Sequence, residues 1–171
     1  MAGIEISVDV TRDDISPALR ALARRMGSIR RPLAEMGRGL VTSTRKRFES
    51  AYGPVIVGNR GVATAWLGAK WKPLADATIA RRRKHSSKPL MDTTTLMRSI
   101  TSQATHDAIH VGTNHEIAPG VSAAIHQLGG KAGRNHAVTI PARPFLFLAE
   151  ENKAQLKAFV IYELKKRGFF N

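Results

Sequence analysis

The stretch AAIHQLGGKAGRNHAVTIPARPFLFL, Ala123–Leu148, contains the features that decide the fold of this chain. Residues 118–128 predict a short helix, because the double glycine Gly129-Gly130 ends the helical pattern. His136–Ile140 predicts a strand, and Phe145–Arg167 predicts a final helix. A short helix, a strand and a long helix are therefore expected in the last third of the chain.

Arg143 lies between two prolines within this stretch. Pro141 and Pro144 favour an extended backbone, and Pro144 can also open the final helix. A guanidinium held at one place suits a carboxylate or a group of backbone carbonyls, either inside the fold or across a subunit boundary. A structural use, in either of these two places, is favoured.

Length and composition predict one domain over residues 1–171. The chain has a mass of 18.7 kDa and 43% hydrophobic residues, and domains usually contain about 100–200 residues. It has no cysteine, which excludes disulfides and thiolate zinc sites. The N-terminus alternates apolar and polar residues and carries acidic residues early, so it predicts neither a signal peptide nor a membrane span, and we expect a soluble protein.

The net charge predicts an anionic partner. Twenty-seven Lys and Arg residues against 13 Asp and Glu give +14 at pH 7, with a pI near 11.1. A polyanion or an acidic protein surface is therefore an expected neighbour. The sequence has no zinc-finger spacing, no aromatic ribonucleoprotein motif and only 6% aromatic residues, so it contains no familiar nucleic-acid module.

The N-terminal part predicts a strand over residues 4–10 and then helix. Apolar residues alternate in steps of four and three, which makes a helical seam that packs on the core. The seam comprises Ile15, Leu19, Leu22, Met26, Ile29, Leu33, Met36 and Leu40. Four arginines spaced seven apart lie opposite it and form a basic stripe: Arg24, Arg31, Arg38 and Arg45. Pro32 predicts a kink, or two helices that meet near Gly27-Ser28.

Residues 51–70 predict a long flexible loop, or a loose hairpin that turns at residues 59–61. The segment contains glycines without helical spacing, and such an arm can stay mobile until a neighbouring subunit orders it. Its apolar residues would then be buried in that partner: Val55, Ile56, Val57 and Trp66.

Short elements follow the arm. Asp76 is a candidate N-cap of a helix through Ala80 to Arg83, and residues 81–89 predict an exposed basic loop with Arg81, Arg82, Arg83 and Lys84. Thr93 or Thr94 can cap another short helix. The strands Ser99–Thr105 and Ala108–Gly112 predict a hairpin. Helices and strands do not alternate regularly, so we expect an α+β fold in which a small, mostly antiparallel sheet is packed by long N-terminal and C-terminal helices.

The residues that could carry chemistry form no convincing site. His106, His110 and His115 lie on a predicted hairpin, and the spacing lacks the carboxylates of a metal site. His126 with Asp92 and Ser99 could be imagined as a triad, but neither a nucleophile elbow nor an oxyanion glycine accompanies it. The glycine-rich segments lack the ending of a phosphate-binding loop. We therefore expect no enzyme activity, no metal and no cofactor.

Five ordered motifs resemble the phage virion morphogenesis and tail completion family. They are Trp71-Lys72-Pro73-Leu74 with Thr78, Leu90-Met91-Asp92-Thr93 with Leu96, Arg98, Ser99 and Ile100, Val111-Gly112-Thr113-Asn114, Ile125-His126-Gln127 with Gly129-Gly130, and Ala142-Arg143-Pro144-Phe145-Leu146. The sequence departs from the family pattern at Thr94, where Gly is usual, and at Leu128, where Phe is usual. An aromatic residue that usually precedes the Ala-x-x-His stretch is also absent.

The resemblance implies a structural virion protein at the head–tail junction or tail end, and host cytoplasm as its place during assembly. It implies a homo-oligomeric ring, six-fold or twelve-fold, with portal, connector, neck or tail proteins as partners, packaged DNA nearby and no membrane. Arg143, His126, Gln127 and Trp71 are then expected to shape a docking core, joined by Trp66, Val55 and Ile56 of the arm. The rival hypothesis is a basic DNA-binding assembly factor without a fixed place in the virion.

Overall fold

The computed structural model describes residues 17, 24, 28–56, 63–82, 86–106, 108–118, 121–166 and 168. Within the described strands and the short 3₁₀ turn, the side chains of residues 54–56, 63–69, 117–118, 121–122 and 134 are not described. The strand predicted over residues 4–10, and Arg83 and Lys84 of the basic loop, lie outside the described residues.

Helix α1, Arg30–Ser50, is the longest described element. Pro32 lies in its first turn, where a missing N–H costs no helical hydrogen bond. Ser28 and Ile29 are non-helical, whereas Pro17 and Arg24 are helical, so the helical pattern is broken before Pro32 rather than kinked at it. This agrees with the prediction of two helices rather than one.

Of the predicted seam, Ile15, Leu19, Leu22 and Met26 lie outside the described residues, Leu40 is half-buried, and the remaining three residues lie on the buried side at and after the start of α1. Ile29, Leu33 and Met36 are 4%, 1% and 5% exposed, and they pack against Val160 and Leu164. Those two residues belong to α5, Glu150–Lys166, the second long helix. Burial of such apolar side chains contributes about 1.5–3 kcal/mol each. The contact between α1 and α5 is one of the two apolar clusters of the core.

The described strands form four two-stranded antiparallel sheets. The first pair joins β1, Tyr52–Ile56, to β2, Ala63–Lys70. The second joins β3, Thr101–Ala104, to β4, Ile109–Gly112, in the predicted hairpin. Two further pairs join β5, Glu116–Ala118, to β6, Val121–Ser122, and β7, Gly130–Ala132, to β8, Val138–Ile140.

Three short helices complete the fold: α2, Asp76–Ala80; α3, Thr95–Arg98; and α4, Ala124–Leu128. A 3₁₀ turn, Arg134–His136, joins β7 to β8. A second apolar cluster surrounds Phe48, Phe145 and Ile100, each of which is fully buried. Long helices flanked by short antiparallel strands confirm the predicted α+β class.

Several predicted boundaries were wrong. Helix α4 begins at Ala124 rather than residue 118, because the preceding residues pair as β5 and β6. The final helix begins at Glu150 rather than Phe145, so Pro144 does not open it. Asp76 is the first residue of α2 rather than its cap, and α2 ends at Ala80. Where the helical pattern was extended too far, strand pairing or tertiary hydrogen bonds use the backbone instead.

Gly37 positions the β3–β4 hairpin on α1. A side-chain carbon on Gly37 would lie 2.9 Å from Ser102 Oγ and 3.2 Å from Ile109 Cγ2. The absence of that carbon allows the helix and the hairpin to approach closely. Among the helices within the described ranges, none is long and apolar enough to cross a bilayer.

Candidate functional site

Residues 141–149, termed the central segment, form the structural centre of the predicted docking core. They are neither helix nor strand, and Arg143, Phe145, Leu146 and Ala149 are buried. Buried main-chain groups outside regular structure need other hydrogen-bond partners. Side chains from four other parts of the chain supply them.

Gln127 holds the central segment from α4. Its Nε2 donates to the Leu146 carbonyl at 2.8 Å, and its Oε1 accepts from the main-chain N–H groups of Phe145 and Leu146 at 2.9 and 3.0 Å. Helix α4 ends before Gly129, whose φ of +75° and missing side chain allow close approach to Ala142. Since none of the described strands pairs with the segment, the Gln127 amide takes the place of a strand partner.

Trp71 holds the segment from the end of β2. Its Nε1 donates to the Pro144 carbonyl at 3.1 Å, and its ring meets Phe48 edge to face at 5.7 Å between centroids. Gly53 of β1 lies directly against this bond. A side-chain carbon on residue 53 would lie 2.4 Å from Trp71 Nε1, so only glycine fits at this position without a shift. The base of the β1–β2 pair is therefore fixed to the central segment.

Arg143 binds carbonyls of its own chain. Its Nε and Nη2 donate to Lys72 O at 3.1 and 2.9 Å, and Nη2 also donates to Pro73 O at 3.3 Å. The residue is 5% exposed. Burial and then the charge of Arg82 lower the pKa of Arg143. The sequence left open whether the Arg143 guanidinium binds a carboxylate or a group of backbone carbonyls. In the structure it binds backbone carbonyls inside the fold.

Arg47 is a central residue that sequence reasoning missed. Its Nη1 donates to the carbonyls of Phe147 at 2.9 Å and Phe145 at 3.4 Å, Nη2 donates to Asn152 Oδ1, and the guanidinium lies 3.8 Å from the Phe147 ring centroid. Burial lowers its pKa to about 10, partly offset by Glu151. Continuing the three-and-four spacing of the seam past Leu40 reaches Ser43 and Arg47, and that signal could have placed Arg47 inside.

Asn152 completes this network at the start of α5. It is 1% exposed, its Oδ1 also accepts from Ala149 N at 3.2 Å, and its Nδ2 donates to Ser43 Oγ at 2.8 Å. Arg47 and Asn152 therefore connect both long helices to the central segment.

His126 is half-buried beside Arg143, whose main-chain N–H donates to the His126 carbonyl at 2.7 Å. Burial, then the charges of Arg143 and Arg82, lower its pKa to about 4. The imidazole is consequently neutral at physiological pH. Its Nδ1 and Asp92 Oδ1 are buried atoms without a hydrogen-bond partner in the described part of the chain.

Ser99 does not join these two residues in a triad. Its Oγ donates to Leu96 O and shares a 2.7 Å bond with Thr113 Oγ1. The described ranges contain no group of three or more potential metal ligands, and His106, His110 and His115 lie on or beside β4.

The basic stripe lies on the surface. Arg24, Arg31, Arg38 and Arg45 are all exposed. Arg38 contacts Glu35 at 3.8 Å, and Arg45 Nη2 donates to the carbonyls of Arg98 at 3.3 Å and Ile100 at 3.1 Å. In the basic loop, Arg81 is exposed and Arg82 is half-buried.

Among the arm residues, Val55 and Ile56 lie in β1 and Trp66 lies in β2. The structure describes the backbone of these three residues but not their side chains. The strand pairing agrees with the hairpin alternative for the arm. Its flexibility and its contacts with a partner stay predictions.

The chain is similar to proteins of phage assembly. The family model described as the phage virion morphogenesis family matches residues 10–165. The chain is 52% identical over 68 residues to the Mu-like prophage FluMu G protein 2 of Haemophilus influenzae. That match covers 40% of this chain and 46% of the relative, so it spans less than half of either protein. No solved structure matches the chain.

Proposed function

The chain belongs to the phage virion morphogenesis family, and on that basis we propose that it is a structural protein acting in head–tail joining or tail completion. The family is described by virion morphogenesis, and the match over residues 10–165 is the main support for this proposal. The proposed finer role is that of a ring subunit at the neck or tail end, without enzyme activity.

The β1–β2 pair supports a role in subunit contacts. Gly53 and Trp71 fix its base, whereas in the described part of the chain β2 packs extensively on β1 alone. An isolated two-stranded hairpin is marginally stable and leaves strand edges unpaired. Residues 54–69 contain one charged residue, Arg60. An apolar arm of this kind suits burial against a protein better than contact with DNA.

The central segment supports the same role by providing a rigid base. Gln127, Trp71 and Arg143 bind main-chain groups of their own chain and hold the arm's base and the neighbouring loops in place. We therefore assign these three residues to positioning of the interface rather than direct contact, and we assign contact to Val55, Ile56 and Trp66. Head-to-tail contacts between two different patches close into a ring when the rotation permits.

The test is electron microscopy of a lysate from phage that lacks this gene. Filled heads beside unattached tails are expected, and abnormal tail ends would point to tail completion. Supplying the gene in trans should restore joined particles. Normal particles without the gene would contradict the proposed role.

A DNA-binding assembly factor is the alternative, and the exposed arginines of the basic stripe favour it. Each neutralised phosphate contributes about 0.9 to the slope of log affinity against log salt. A steep slope that falls when Arg31 and Arg38 are both replaced by Gln would support this alternative. No DNA retention at moderate salt would count against it.

A further inference from the structure

A groove between α1 and α5 opens at the surface of this helix pair. Its volume is about 120 Å³, and the apolar side chains that line it are Met36 and Leu40 of α1 and Leu156 and Phe159 of α5. Leu40, Leu156 and Phe159 are only half-buried. The apolar contact between the two helices is therefore incomplete here, and the groove can accept a further apolar side chain.

Gly39 keeps the groove open. It lines the groove in the middle of α1, and within the described ranges nothing lies within 4 Å of its missing side chain. Gly37 on the same helix differs, because the β3–β4 hairpin packs closely against it. Glycine inside a helix is less favourable than alanine. Packing within the described part of the chain does not account for Gly39, whereas space for a partner's side chain does.

The size of the groove favours one branched aliphatic side chain. A protein cavity of about 150 Å³ accepts benzene. A groove of about 120 Å³ therefore suits a valine or isoleucine side chain better than an indole ring. Of the arm residues to which we assign contact, Val55 and Ile56 meet this requirement and Trp66 does not.

The charge at the groove favours the arm over an acidic partner or DNA. Glu35 is the one charged residue among the described residues that line the groove, although the chain has 27 Lys and Arg residues. Its ion pair with Arg38 is long, at 3.8 Å, and both side chains are exposed, so Arg38 neutralises it weakly. A carboxylate or a phosphate would be repelled there. Residues 54–69 of the arm contain Arg60 and no acidic residue, so the arm matches the groove in polarity and in charge.

We propose that this groove binds the arm of a second copy of this chain, with Val55 or Ile56 of that copy inserted beside Gly39. The arm and the groove are different surfaces, so the contact runs head to tail, as a closed ring requires. The inference rests on the proposed ring-forming role and adds to it the surface that receives the arm.

The first test compares self-association of the full chain with that of Gly39→Leu in analytical ultracentrifugation. The leucine side chain would fill the groove and should weaken self-association by about ten-fold or more. Its melting temperature should not fall, because leucine is the better helix former and the position has room for it. The matched control Thr42→Leu adds the same side chain at an exposed position of α1 that does not line the groove, and it should associate within about two-fold of the original chain.

The second test uses disulfide formation between two populations of the full chain. The chain has no cysteine, so each introduced cysteine reports one contact. Gln155 lies at the exposed edge of the groove, and Gln155→Cys should form a mixed disulfide with either Val55→Cys or Ile56→Cys. The control Gln103→Cys, exposed on β3, should not.

Unchanged self-association of Gly39→Leu would overturn the groove as the binding surface. Equal crosslinking of the arm to residues 103 and 155, or crosslinking to neither, would do the same. A disulfide of Gln155→Cys with itself alone would instead indicate a two-fold contact between α5 helices, and it would overturn the arm as the occupant.

The proposed function is tested separately by phage that lacks the gene. Normal particles without the gene would refute the role in assembly, and the disulfide result would stand independently. Loss of joined particles together with a full chain that is monomeric at every concentration would retain the role in assembly and overturn the contact between arm and groove.

Discussion

Gln127 shows how much of this fold depends on one amide. It makes three hydrogen bonds to the central segment, and two of the partners are main-chain N–H groups. Replacement by Ala would leave these groups buried and unpaired, because none of the described strands pairs with the segment. The loss of a buried partner is more costly than the loss of an exposed hydrogen bond.

Gln127→Ala should therefore lower the free energy of unfolding by about 3 kcal/mol, as measured by urea denaturation. The control is Gln103→Ala, since Gln103 is exposed on β3 and should change stability by less than about 0.5 kcal/mol. Equal effects of the two substitutions would show that the Gln127 amide does not stabilise the segment.

His126 gives the protein a sensitivity to mild acid. Its pKa is lowered to about 4 by burial and then by Arg143 and Arg82, compared with about 6.5 in an unfolded chain. The unfolded state therefore takes up a proton first as the pH falls. The resulting stability is fully retained above about pH 6.5 and is lost progressively down to about pH 4.

The urea concentration at half unfolding should accordingly decrease when the pH is lowered from 7.5 to 4.5. The decrease should be smaller for His126→Gln. The comparison of the two proteins cancels the other titrating groups. The same pH-dependent loss in both would mean that His126 is not the group responsible.

At the scale of elements, two glycines that look alike in the sequence have opposite roles. Gly53 lies under Trp71 and Pro144, where a side-chain carbon would come within 2.4 Å of Trp71 Nε1 and 2.6 Å of the Pro144 carbonyl. Gly39 lies within α1, and nothing lies within 4 Å of its missing side chain.

Gly53→Ala should destabilise the protein by about 2 kcal/mol or more, since the Trp71–Pro144 bond and the start of β1 must shift. Gly39→Ala should instead stabilise it by about 0.5–1 kcal/mol, because alanine is the better helix former. Thermal melting of both variants measures the difference. A stabilising Gly53→Ala would contradict the close packing at the base of the arm.

The elements also show what the sequence can and cannot reveal. Spacing of three and four correctly placed the buried face of α1, and the polar turn correctly placed the β3–β4 hairpin. The sequence pattern could not reveal that residues 145–149 are not helical, because their helical pattern is overridden by hydrogen bonds to Gln127 and Arg47, which are distant in the chain.

At the scale of the whole molecule, we distinguish the arm from the body of the chain, meaning the other described elements, because β1 and β2 pack mainly on each other. Arg47, Gln127 and Trp71 connect the helices and short strand pairs to one central segment, so the body should fold without a partner. The arm contributes to the body mainly through its base at Gly53 and Trp71. Stability and assembly should therefore be separable by a change confined to the distal part of the arm.

Replacing residues 54–68 by Asn-Gly tests this separation. The replacement closes the observed Gly53–Ala69 pair with a two-residue turn that suits an antiparallel hairpin. The shortened chain should melt within a few degrees of the full chain, because the removed strands pack mainly on each other. In analytical ultracentrifugation the full chain should form a closed oligomer at high concentration, and the shortened chain should remain a monomer. Oligomers of equal size would show that the arm does not join subunits, and a full chain that is monomeric at every concentration would contradict a ring formed by this protein alone.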